Sequence, residues 1–378
     1  MGVVFIKTEG RFIMRVGITG SSGFIGWHLR CLLHERRDIE VIEANEEEFS
    51  SLDKLRGFVR SCDGVFHLAG MNRGPSEDVY KTNVEIAELL VEACKSTDSR
   101  PHVVFANSVQ MERDNPYGRG KRKAAETLRK FSEETGASLT NVILPNVFGE
   151  HGKPFYNSVV ATFCHQLAKG EKPEIIEDNQ MDLLHVRDAV ELMLDSMENG
   201  VNGDMQPGGR AIKVSSLLKV LHNMDTCYRS GVVPDLSDMF NLQLFNTYRS
   251  FLFPSFYPTY PELSSDNRGW LFELIRTESG GQAFASSTEP GVTRGNHYHV
   301  RKFERFLVIK GEATISLRRL LTDEVTSFNV SGEQPAFVDI PTLHTHNITN
   351  IGQDGLLTLF WAGEFFDSER PDTYPEVV

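Results

Sequence analysis

Two ionisable side chains, Tyr117 and Lys121, stand four positions apart in this sequence, and Ser108 lies shortly before them. That spacing places the phenol and the ammonium group on one face of a helix, where the ammonium can lower the pKa of the phenol. Such a tyrosine could exchange a proton with a substrate oxygen while a hydride moves at the adjacent carbon. Ser108, near the end of an apolar strand, could hydrogen-bond the same oxygen. Taken singly, each feature also fits ordinary helix-surface or turn residues.

A glycine-rich turn follows the apolar run that ends at Thr19 and contains Gly20, Gly23 and Gly26. Glycine permits a tight turn and lets the backbone approach a pyrophosphate, which the N-terminus of the next helix attracts. Glycine triplets also occur in plain turns, but the order strand, turn, helix is the one that dinucleotide binding requires. The second strand ends Glu43-Ala44-Asn45, with an early acidic residue and no basic one, which favours NAD slightly or neither nicotinamide cofactor.

Three histidines and a glutamate with ligand-like spacing occur in the last quarter of the chain. His297 and His299, two apart on a strand, point to one side, and Glu304 and His346 from later strands could converge with them. Such a set suits Zn²⁺, Fe²⁺, Mn²⁺ or Ni²⁺, and the residues do not choose among these metals. The alternative is a group of polar residues that line a metal-free interior. His344, on the same strand face as His346, could be a fifth ligand, a general base or an exposed side chain.

The elements that must position these residues divide the chain into two halves. From Arg15 to about residue 225, apolar runs alternate with helical-period segments, which predicts βαβ units and a parallel sheet. From Gly269 onward, short β-rich runs punctuated by Gly, Pro and Asp or Asn predict an all-β sandwich or small barrel, its first strand being Trp270–Ile275. We therefore predict an α/β domain over residues 1–245 and an all-β domain over 246–378. The aromatic and proline-rich stretch Phe251–Pro261 is expected to form an interdomain or dimer contact.

Composition narrows the classes of function. The chain has 378 residues, 40% of them hydrophobic, and a formal net charge of −13, which argues against binding to nucleic acid. No apolar stretch approaches the roughly 20 residues of a membrane span, so no membrane partner is expected. The first 14 residues lack a signal-peptide pattern, and the five cysteines are odd in number and scattered. A cytoplasmic protein with reduced thiols is expected.

The first half resembles the extended short-chain dehydrogenase/reductase family, which acts largely on nucleotide sugars. The resemblance is carried by the glycine turn, His67-Leu68-Ala69-Gly70, Thr82-Asn83-Val84, Pro145-Asn146-Val147-Phe148-Gly149 and Leu184-His185-Val186-Arg187-Asp188 together with Ser108, Tyr117 and Lys121. It implies a Rossmann-type doubly wound sheet with Ser108, Tyr117 and Lys121 as catalytic residues and Asn146 toward the substrate. The cofactor-binding residues that it implies are Gly20, Ser22, Gly23, Phe24, Ile25, Gly26, Leu68, Ala69, Asn83 and Lys121.

The second half resembles the cupin family. Its first motif is matched from Gly291 through His297, His299 and Glu304 to Gly311, and its second in part from Pro341 through His346 to Asn350. The resemblance implies a β-barrel with one divalent metal, zinc being the favoured one, on His297, His299, Glu304 and His346. The second motif expects glycine where Leu343 stands, and a backbone with positive φ would be costly for leucine, so the loop before His346 could run differently.

The order of the two halves resembles one family, the bifunctional capsule-synthesis enzymes of the CapF type. This resemblance implies that the cupin inverts C3 of a 4-keto-6-deoxy UDP-N-acetylhexosamine and that the reductase domain then reduces C4. It implies the product UDP-2-acetamido-2,6-dideoxy-L-talose, on the route to UDP-N-acetyl-L-fucosamine for capsule or O-antigen. It also implies NADPH as the cofactor, with NADH still open, and a homodimer.

Three rival interpretations stay open. The first is an NAD-retaining UDP-sugar 4-epimerase or dehydratase with a non-catalytic cupin. A dehydratase usually carries an acid–base pair near the serine, whereas Val109 and Gln110 follow Ser108 here. The second is a metal oxidase or decarboxylase built on the cupin motif, and the third is a nucleotide-sensing regulator. The intact set of Ser108, Tyr117 and Lys121 argues against the regulator.

Overall fold

The structure is a computed structural model that describes residues 6–8, 11–261, 264–266, 269–271, 276–278, 280–364 and 367–378. Residues 272–275 of the predicted strand Trp270–Ile275 lie outside the described residues. The chain forms two compact units. The first contains Met1–Phe148, Gly152–Ser158 and Asn179–Ile212, and the second contains Gly149–His151, Val159–Asp178 and Lys213–Val378. The domain boundary predicted at residue 245 falls inside a helix of the second unit, Met239–Leu252.

The helices of the described residues are α1 (Phe24–Leu33), α2 (Glu46–Phe49), α3 (Leu52–Ser61), α4 (Ser76–Thr97), a 3₁₀ turn (Val109–Glu112), α5 (Pro116–Thr135), α6 (Val159–Ala168), α7 (Val186–Glu198), α8 (Val214–Arg229) and α9 (Met239–Leu252). The strands of the first unit are β1 (Ile6–Thr8), β2 (Arg11–Thr19), β3 (Ile39–Ala44), β4 (Gly64–His67), β5 (His102–Ser108), β6 (Leu139–Leu144), β7 (Asn146–Phe148), β8 (Gln180–His185) and β9 (Gly203–Met205), followed by β10 (Arg210–Lys213), which ends where the second unit resumes. None of the helices in the described ranges is long and apolar enough to cross a membrane.

The main sheet of the first unit is parallel, as predicted. Its order is β3-β2-β4-β5-β6-β9, and β1 pairs antiparallel with the start of β2. Alternate residues of β5 enter different cores: Val103 and Phe105 pack in one cluster, whereas Val104 and Ala106 pack in the other. Both faces of the sheet are therefore covered, as expected of a doubly wound sheet. Because β3 and β4 flank β2, the strand order reverses at β2, and ligands of such sheets bind at the carboxyl edge there.

Local sequence signals place the helix that carries Tyr117. The helix α5 begins with Pro116, and the side chain of Asn115 caps it by accepting a hydrogen bond from the Gly118 N–H at 2.7 Å. It ends at Thr135, and Gly136, with a φ of 75°, caps its last turn. These signals fix where the helix starts and ends, and therefore fix the first turn on which Tyr117 stands.

The second unit contains the all-β region. Its strands are β11 (Val232–Val233), β12 (Ser264–Asp266), β13 (Gly269–Leu271), β14 (Arg276–Thr277), β15 (Gln282–Thr288), β16 (Thr293–Tyr298), β17 (Glu304–Lys310), β18 (Glu312–Arg319), β19 (Val325–Ser331), β20 (Phe337–Ile340), β21 (His344–Asn350), β22 (Leu356–Ala362) and β23 (Tyr374–Pro375). From β15 onward the pairing is antiparallel, in two sheets of order β15-β22-β17-β20 and β19-β18-β21-β16-β23. Phe306 and Phe360 of one sheet share a core with Ile315 and Ile348 of the other.

The aromatic stretch Phe251–Pro261 packs inside the second unit. Tyr257 is buried in the core of the β region, and Phe253 and Phe256 pack against that core. The backbone of Thr259 forms an isolated bridge with Phe337. These side chains therefore pack against the β core of their own unit, and a dimer contact of this stretch stays a prediction.

Candidate functional site

The glycine turn after β2 lies against the loop after β4. Gly20 has a φ of 69°, and a Cβ added to it would lie 2.8 Å from the Cα atom of Ala69. A Cβ on Gly26 would lie 2.3 Å from the carbonyl oxygen of Gly20. Both distances are too short for any larger residue, so these glycines are required for the close approach of turn, helix and neighbouring loop.

The predicted cofactor-binding residues lie around this turn. Ser22 and Gly23 are exposed immediately before α1, whose first residues are Phe24 and Ile25. The N–H groups of Leu68 and Ala69 both donate to the hydroxyl oxygen of Thr19 at 3.2 Å, which fixes the start of the loop after β4. The free N–H groups at the start of a helix favour a phosphate.

Asn83, another predicted cofactor residue, is buried on α4. Its amide nitrogen donates to the carbonyl oxygens of Met71 and Val79, at 2.5 and 2.7 Å. Among the described residues its amide oxygen has no hydrogen-bond partner. A buried acceptor without a partner is uncommon in folded proteins, so this oxygen is available to a donor from a ligand.

The end of β3, the second strand predicted from the sequence, contains the residues expected to distinguish NAD from NADP. Glu43 is exposed and forms an ion pair with Arg30 of α1 at 3.1 Å. Asn45 accepts a hydrogen bond from the hydroxyl of Ser21 at 2.9 Å. The ion pair engages both the acidic residue and a nearby basic one, so neither cofactor type is favoured by a free charge at this strand end.

The three predicted catalytic residues occupy neighbouring positions at the carboxyl edge of the sheet. Ser108 is the last residue of β5 and hydrogen-bonds the Tyr117 side chain. Lys121 follows Tyr117 by about one turn on α5, and its ammonium nitrogen donates to the carbonyl oxygen of Ala106 at 2.7 Å. The structure therefore brings Ser108, Tyr117 and Lys121 to one edge, as their spacing predicted.

The expected electrostatic effect of Lys121 on Tyr117 is corrected. Burial raises the pKa of Tyr117 to about 12, and the hydrogen bond with Ser108 offsets only part of that rise. Burial lowers the pKa of Lys121 to about 8. The reason for the difference is that the ammonium is directed to Ala106 instead of the phenol. Without bound ligands, Tyr117 is a protonated acid at neutral pH.

Asn146, the predicted substrate residue, starts β7 and is exposed. Its amide nitrogen donates to the carbonyl oxygen of Asp182 at 3.3 Å, beside β8. Two glycines of α5, Gly118 and Gly120, have a role that the sequence motifs did not predict. A Cβ on Gly118 would lie 2.2 Å from the carbonyl oxygen of Gln110, and one on Gly120 would lie 3.1 Å from the Cβ of Asn83. These glycines let α5 approach the loop after Ser108 and the helix α4.

In the second unit, the four predicted metal ligands come together. His297, His299, Glu304 and His346 each offer a ligand atom, and these atoms lie within 4.8 Å of one another. The Nε2 atoms of His299 and His346 lie 3.3 and 3.5 Å from the same carboxylate oxygen of Glu304. Glu304, His299 and His346 are buried, and His297 is half-buried.

Backbone carbonyl groups orient the three imidazole rings. The Nδ1 atoms of His299 and His346 lie 2.5 and 3.2 Å from the carbonyl oxygens of Asp372 and His344, which they can only contact as donors. His297 also hydrogen-bonds the backbone of Gly295. With Nδ1 protonated, a neutral ring presents its lone pair at Nε2. The Nε2 atoms of His299 and His346 are buried and lack a hydrogen-bond partner among the described residues, so the site fits a metal ion.

Burial also keeps the imidazoles of His297 and His346 neutral. It lowers the pKa of His297 to about 3, with a further contribution from His346 and His299, and it lowers the pKa of His346. Neutral imidazole is the form that binds a metal.

Leu343 adopts the conformation that the motif reserves for glycine. Its φ is 60°, and its N–H donates to the carbonyl oxygen of His299 at 2.7 Å. The loop before His346 therefore runs with positive φ despite the leucine. The side chain of Leu343 is buried, and this burial offsets the strain.

His344 is buried as well. Its Nδ1 lies 3.0 Å from the carbonyl oxygen of Thr342, and its ring lies beside Phe253, so the alternative of an exposed side chain is wrong.

A parallel α/β unit with a glycine turn and a serine, tyrosine and lysine at its carboxyl edge defines a nucleotide-cofactor enzyme of the epimerase and dehydrogenase class. Residues 16–207 match the NAD dependent epimerase/dehydratase family, and residues 264–374 match the Polysaccharide biosynthesis C-terminal domain. The chain is similar to "UDP-2-acetamido-2,6-beta-L-arabino-hexul-4-ose reductase" of Pseudomonas aeruginosa, with 36% identity over 96% of this chain and 98% of that protein.

One further similarity covers nearly the whole chain, and another covers part of it. The crystal structure of the capsular polysaccharide assembling protein CapF from Staphylococcus aureus matches with a TM-score of 0.62 and 31% identity over 97% of this chain and 100% of the other. The spore coat polysaccharide biosynthesis protein SpsL of Bacillus subtilis matches 29% of this chain and 78% of its own length at 26% identity. The chain belongs to the NAD dependent epimerase/dehydratase family, in the group that includes CapF.

Proposed function

We propose that this protein is a bifunctional nucleotide-sugar enzyme. Its first unit reduces the C4 carbonyl of a 4-keto-6-deoxy UDP-N-acetylhexosamine, and its β region, as a cupin barrel, epimerises C3 beforehand. The product is UDP-2-acetamido-2,6-dideoxy-L-talose, for the synthesis of UDP-N-acetyl-L-fucosamine. The observation that carries the proposal is the near full-length similarity to the Pseudomonas aeruginosa reductase. The active form is proposed to be a homodimer.

For the reduction, Tyr117 supplies the proton. A bound reduced nicotinamide, NADPH or NADH, would supply the hydride. With its pKa raised to about 12, Tyr117 carries a proton at neutral pH and can donate it to the alkoxide that forms at C4. Ser108, hydrogen-bonded to Tyr117, orients the carbonyl oxygen. Gly20, Gly23 and Gly26 shape the turn for the pyrophosphate, with Asn83 and Lys121 nearby for the rest of the cofactor.

For the epimerisation, the C3 proton is acidic because the enolate delocalises onto the C4 carbonyl. His297, His299, Glu304 and His346 would hold one divalent metal, with zinc favoured, and such an ion supplies Lewis acidity toward an oxyanion. The buried side chains around the four ligands exclude water and keep His297 and His346 neutral. The donor set of three nitrogens and one carboxylate oxygen supports this assignment.

The proposal is tested by NMR of the 4-keto-6-deoxy UDP-N-acetylhexosamine in D₂O, first without and then with NADPH or NADH. Entry of deuterium at C3 before nucleotide is added, followed by reduction after its addition, is the expected result. Reduction without earlier exchange would remove the epimerase half. Tightly bound NAD that survives purification, with no net reduction, would instead support the NAD-retaining 4-epimerase.

A further inference from the structure

The carboxylate of Asp372, close to the C-terminus, binds the turn that follows the predicted ligand His299. One of its oxygens accepts a hydrogen bond from the N–H of Val300 at 3.1 Å, and the other accepts from Arg301 and Lys302 at 2.9 and 2.7 Å. Three consecutive backbone N–H groups thus converge on one buried side chain. Hydrogen bonds from several N–H groups to a carboxylate are among the stronger ones in proteins.

The backbone of the same residue contacts the imidazole itself. The carbonyl oxygen of Asp372 lies 2.5 Å from Nδ1 of His299. Asp372 therefore makes two contacts with this region. Its side chain binds the turn after His299, and its carbonyl group fixes which nitrogen of the His299 ring carries the proton. Asp372 has a φ of 44°, a conformation that aspartate and asparagine tolerate better than most residues.

His299 differs in this respect from the two other histidines. The carbonyl groups that orient His297 and His346 belong to Gly295 and His344, each two residues earlier in the same strand. The carbonyl group that orients His299 comes from 73 residues away. The strands fix the first two rings, but the third depends on the docking of the C-terminal segment.

The rest of that segment runs beside the ligand strand. Tyr374 and Pro375 form β23, which pairs with Tyr298 and His297 of β16. The N–H of Glu376 donates to the carbonyl oxygen of Asn296 at 2.9 Å. Asp372 thus lies just before β23 and contacts the turn that follows His299.

We infer that Asp372 is a positioning residue for the metal site. Its carboxylate holds residues 300–302, and this contact places its own carbonyl group against His299 so that Nε2 of His299 faces the other ligands. The inference rests on the metal site in the proposed function. Removal of the carboxylate is expected to weaken metal binding about 10–100-fold, the usual cost of losing an outer-shell partner.

The test compares wild-type protein with Asp372→Asn, which keeps a residue suited to positive φ but removes one of the two acceptor oxygens. The matched control is Asp367→Asn in the same segment. The carboxylate of Asp367 is exposed, and within the described residues it accepts one hydrogen bond, from the Glu369 N–H at 2.9 Å. Each metal-stripped, full-length protein is titrated with Zn²⁺ and with Co²⁺ against a competing chelator. Histidine ¹⁵N NMR of the zinc-loaded proteins reports which nitrogen of each ring binds the metal.

The expected result is a 10–100-fold weaker affinity for Asp372→Asn and a change of less than about two-fold for Asp367→Asn. The NMR should show ligation through Nε2 of His299 in wild type and a loss or mixture of that signature in Asp372→Asn alone. Unchanged affinity and unchanged His299 signals in Asp372→Asn, even with a lower melting temperature, would overturn the inference. Absence of metal binding in wild type would overturn the metal site as well, which separates the two failures.

Discussion

The ammonium nitrogen of Lys121 donates a hydrogen bond to the carbonyl oxygen of Ala106 at 2.7 Å, inside the first unit. The same nitrogen lies 4.6 Å from the centroid of the Phe105 ring. One carbonyl dipole and one aromatic face compensate only part of the loss of hydration, which is why burial lowers the pKa of Lys121 to about 8. This value lies within the pH range in which enzymes are assayed.

The first prediction concerns the pH dependence of the reduction. The pKa of Lys121 is about 8, so the ammonium is present below that pH and is lost above it. If the charge assists cofactor binding and reduction, the rate should fall as pH rises through about 8, with a one-proton dependence. Tyr117, with a pKa of about 12, stays protonated over the same range and cannot cause the fall.

Single-turnover reduction between pH 6 and 10 measures this limb. In Lys121→Arg the side chain keeps its charge throughout, so whatever activity remains should show no fall near pH 8. A wild-type rate that stays flat to pH 10 would contradict the assigned role of the ammonium.

The second prediction separates the two activities. Tyr117→Phe removes the proton donor but leaves the ring in place, so reduction should slow by about 10²–10⁴-fold, the usual contribution of general acid catalysis. Exchange of the C3 proton in D₂O should continue at the wild-type rate, because the predicted exchange site is built from residues of the second unit. NMR of one sample reports both rates.

Tyr156→Phe is the control, because Tyr156 is half-buried in the same unit. It should reduce substrate within a few-fold of wild type. Normal reduction by Tyr117→Phe would show that the tyrosine is not the acid.

Features that depend on neighbouring residues in the chain were predictable from the sequence. The turn of Gly20, Gly23 and Gly26 follows from strand, turn and helix in succession, and His297 and His299 share a face because strands alternate. Tyr117 and Ser108 were also placed correctly, since each follows a local signal: a capped helix start and a strand end.

Features that depend on distant partners were not predictable. The direction of the Lys121 ammonium depends on the Ala106 carbonyl, a backbone group that every residue type carries. The buried ion pair between Arg305 and Asp339, at 2.7 Å, joins adjacent strands and has no periodic signal. Leu343 suggested that the loop before His346 would run differently, because the motif expects glycine at this position. The loop nevertheless has positive φ at Leu343, since the burial of the leucine side chain outweighs the backbone strain.

The third prediction concerns the predicted metal ligands. His297→Ala removes one nitrogen donor, so the affinity for Zn²⁺ should fall far below that of wild type in a chelator competition. If the metal acts in the chemistry, exchange of the C3 proton should be lost with it, while C4 reduction of a substrate that already has the inverted C3 continues. Full-rate exchange by metal-free His297→Ala would mean that the ion has no chemical role.

The fourth prediction compares two glycine substitutions in the first unit. A Cβ on Gly26 would lie 2.3 Å from the Gly20 carbonyl oxygen, whereas one on Gly57, an exposed position of α3, would have nothing within 4 Å. Gly26→Ala should therefore lower the free energy of unfolding by about 1–3 kcal/mol, the typical cost of overpacking. Gly57→Ala should raise it by about 0.5–1 kcal/mol, because alanine loses less backbone entropy in a helix.

Urea denaturation measures both free energies, and fluorescence titration with NADPH and NADH measures cofactor binding. Gly26→Ala should bind nucleotide at least about tenfold more weakly, because the clash displaces the turn before α1, whose N–H groups favour the phosphate. Gly57→Ala should bind as wild type does. Equal nucleotide affinity for Gly26→Ala and wild type would show that the turn is not the pyrophosphate site.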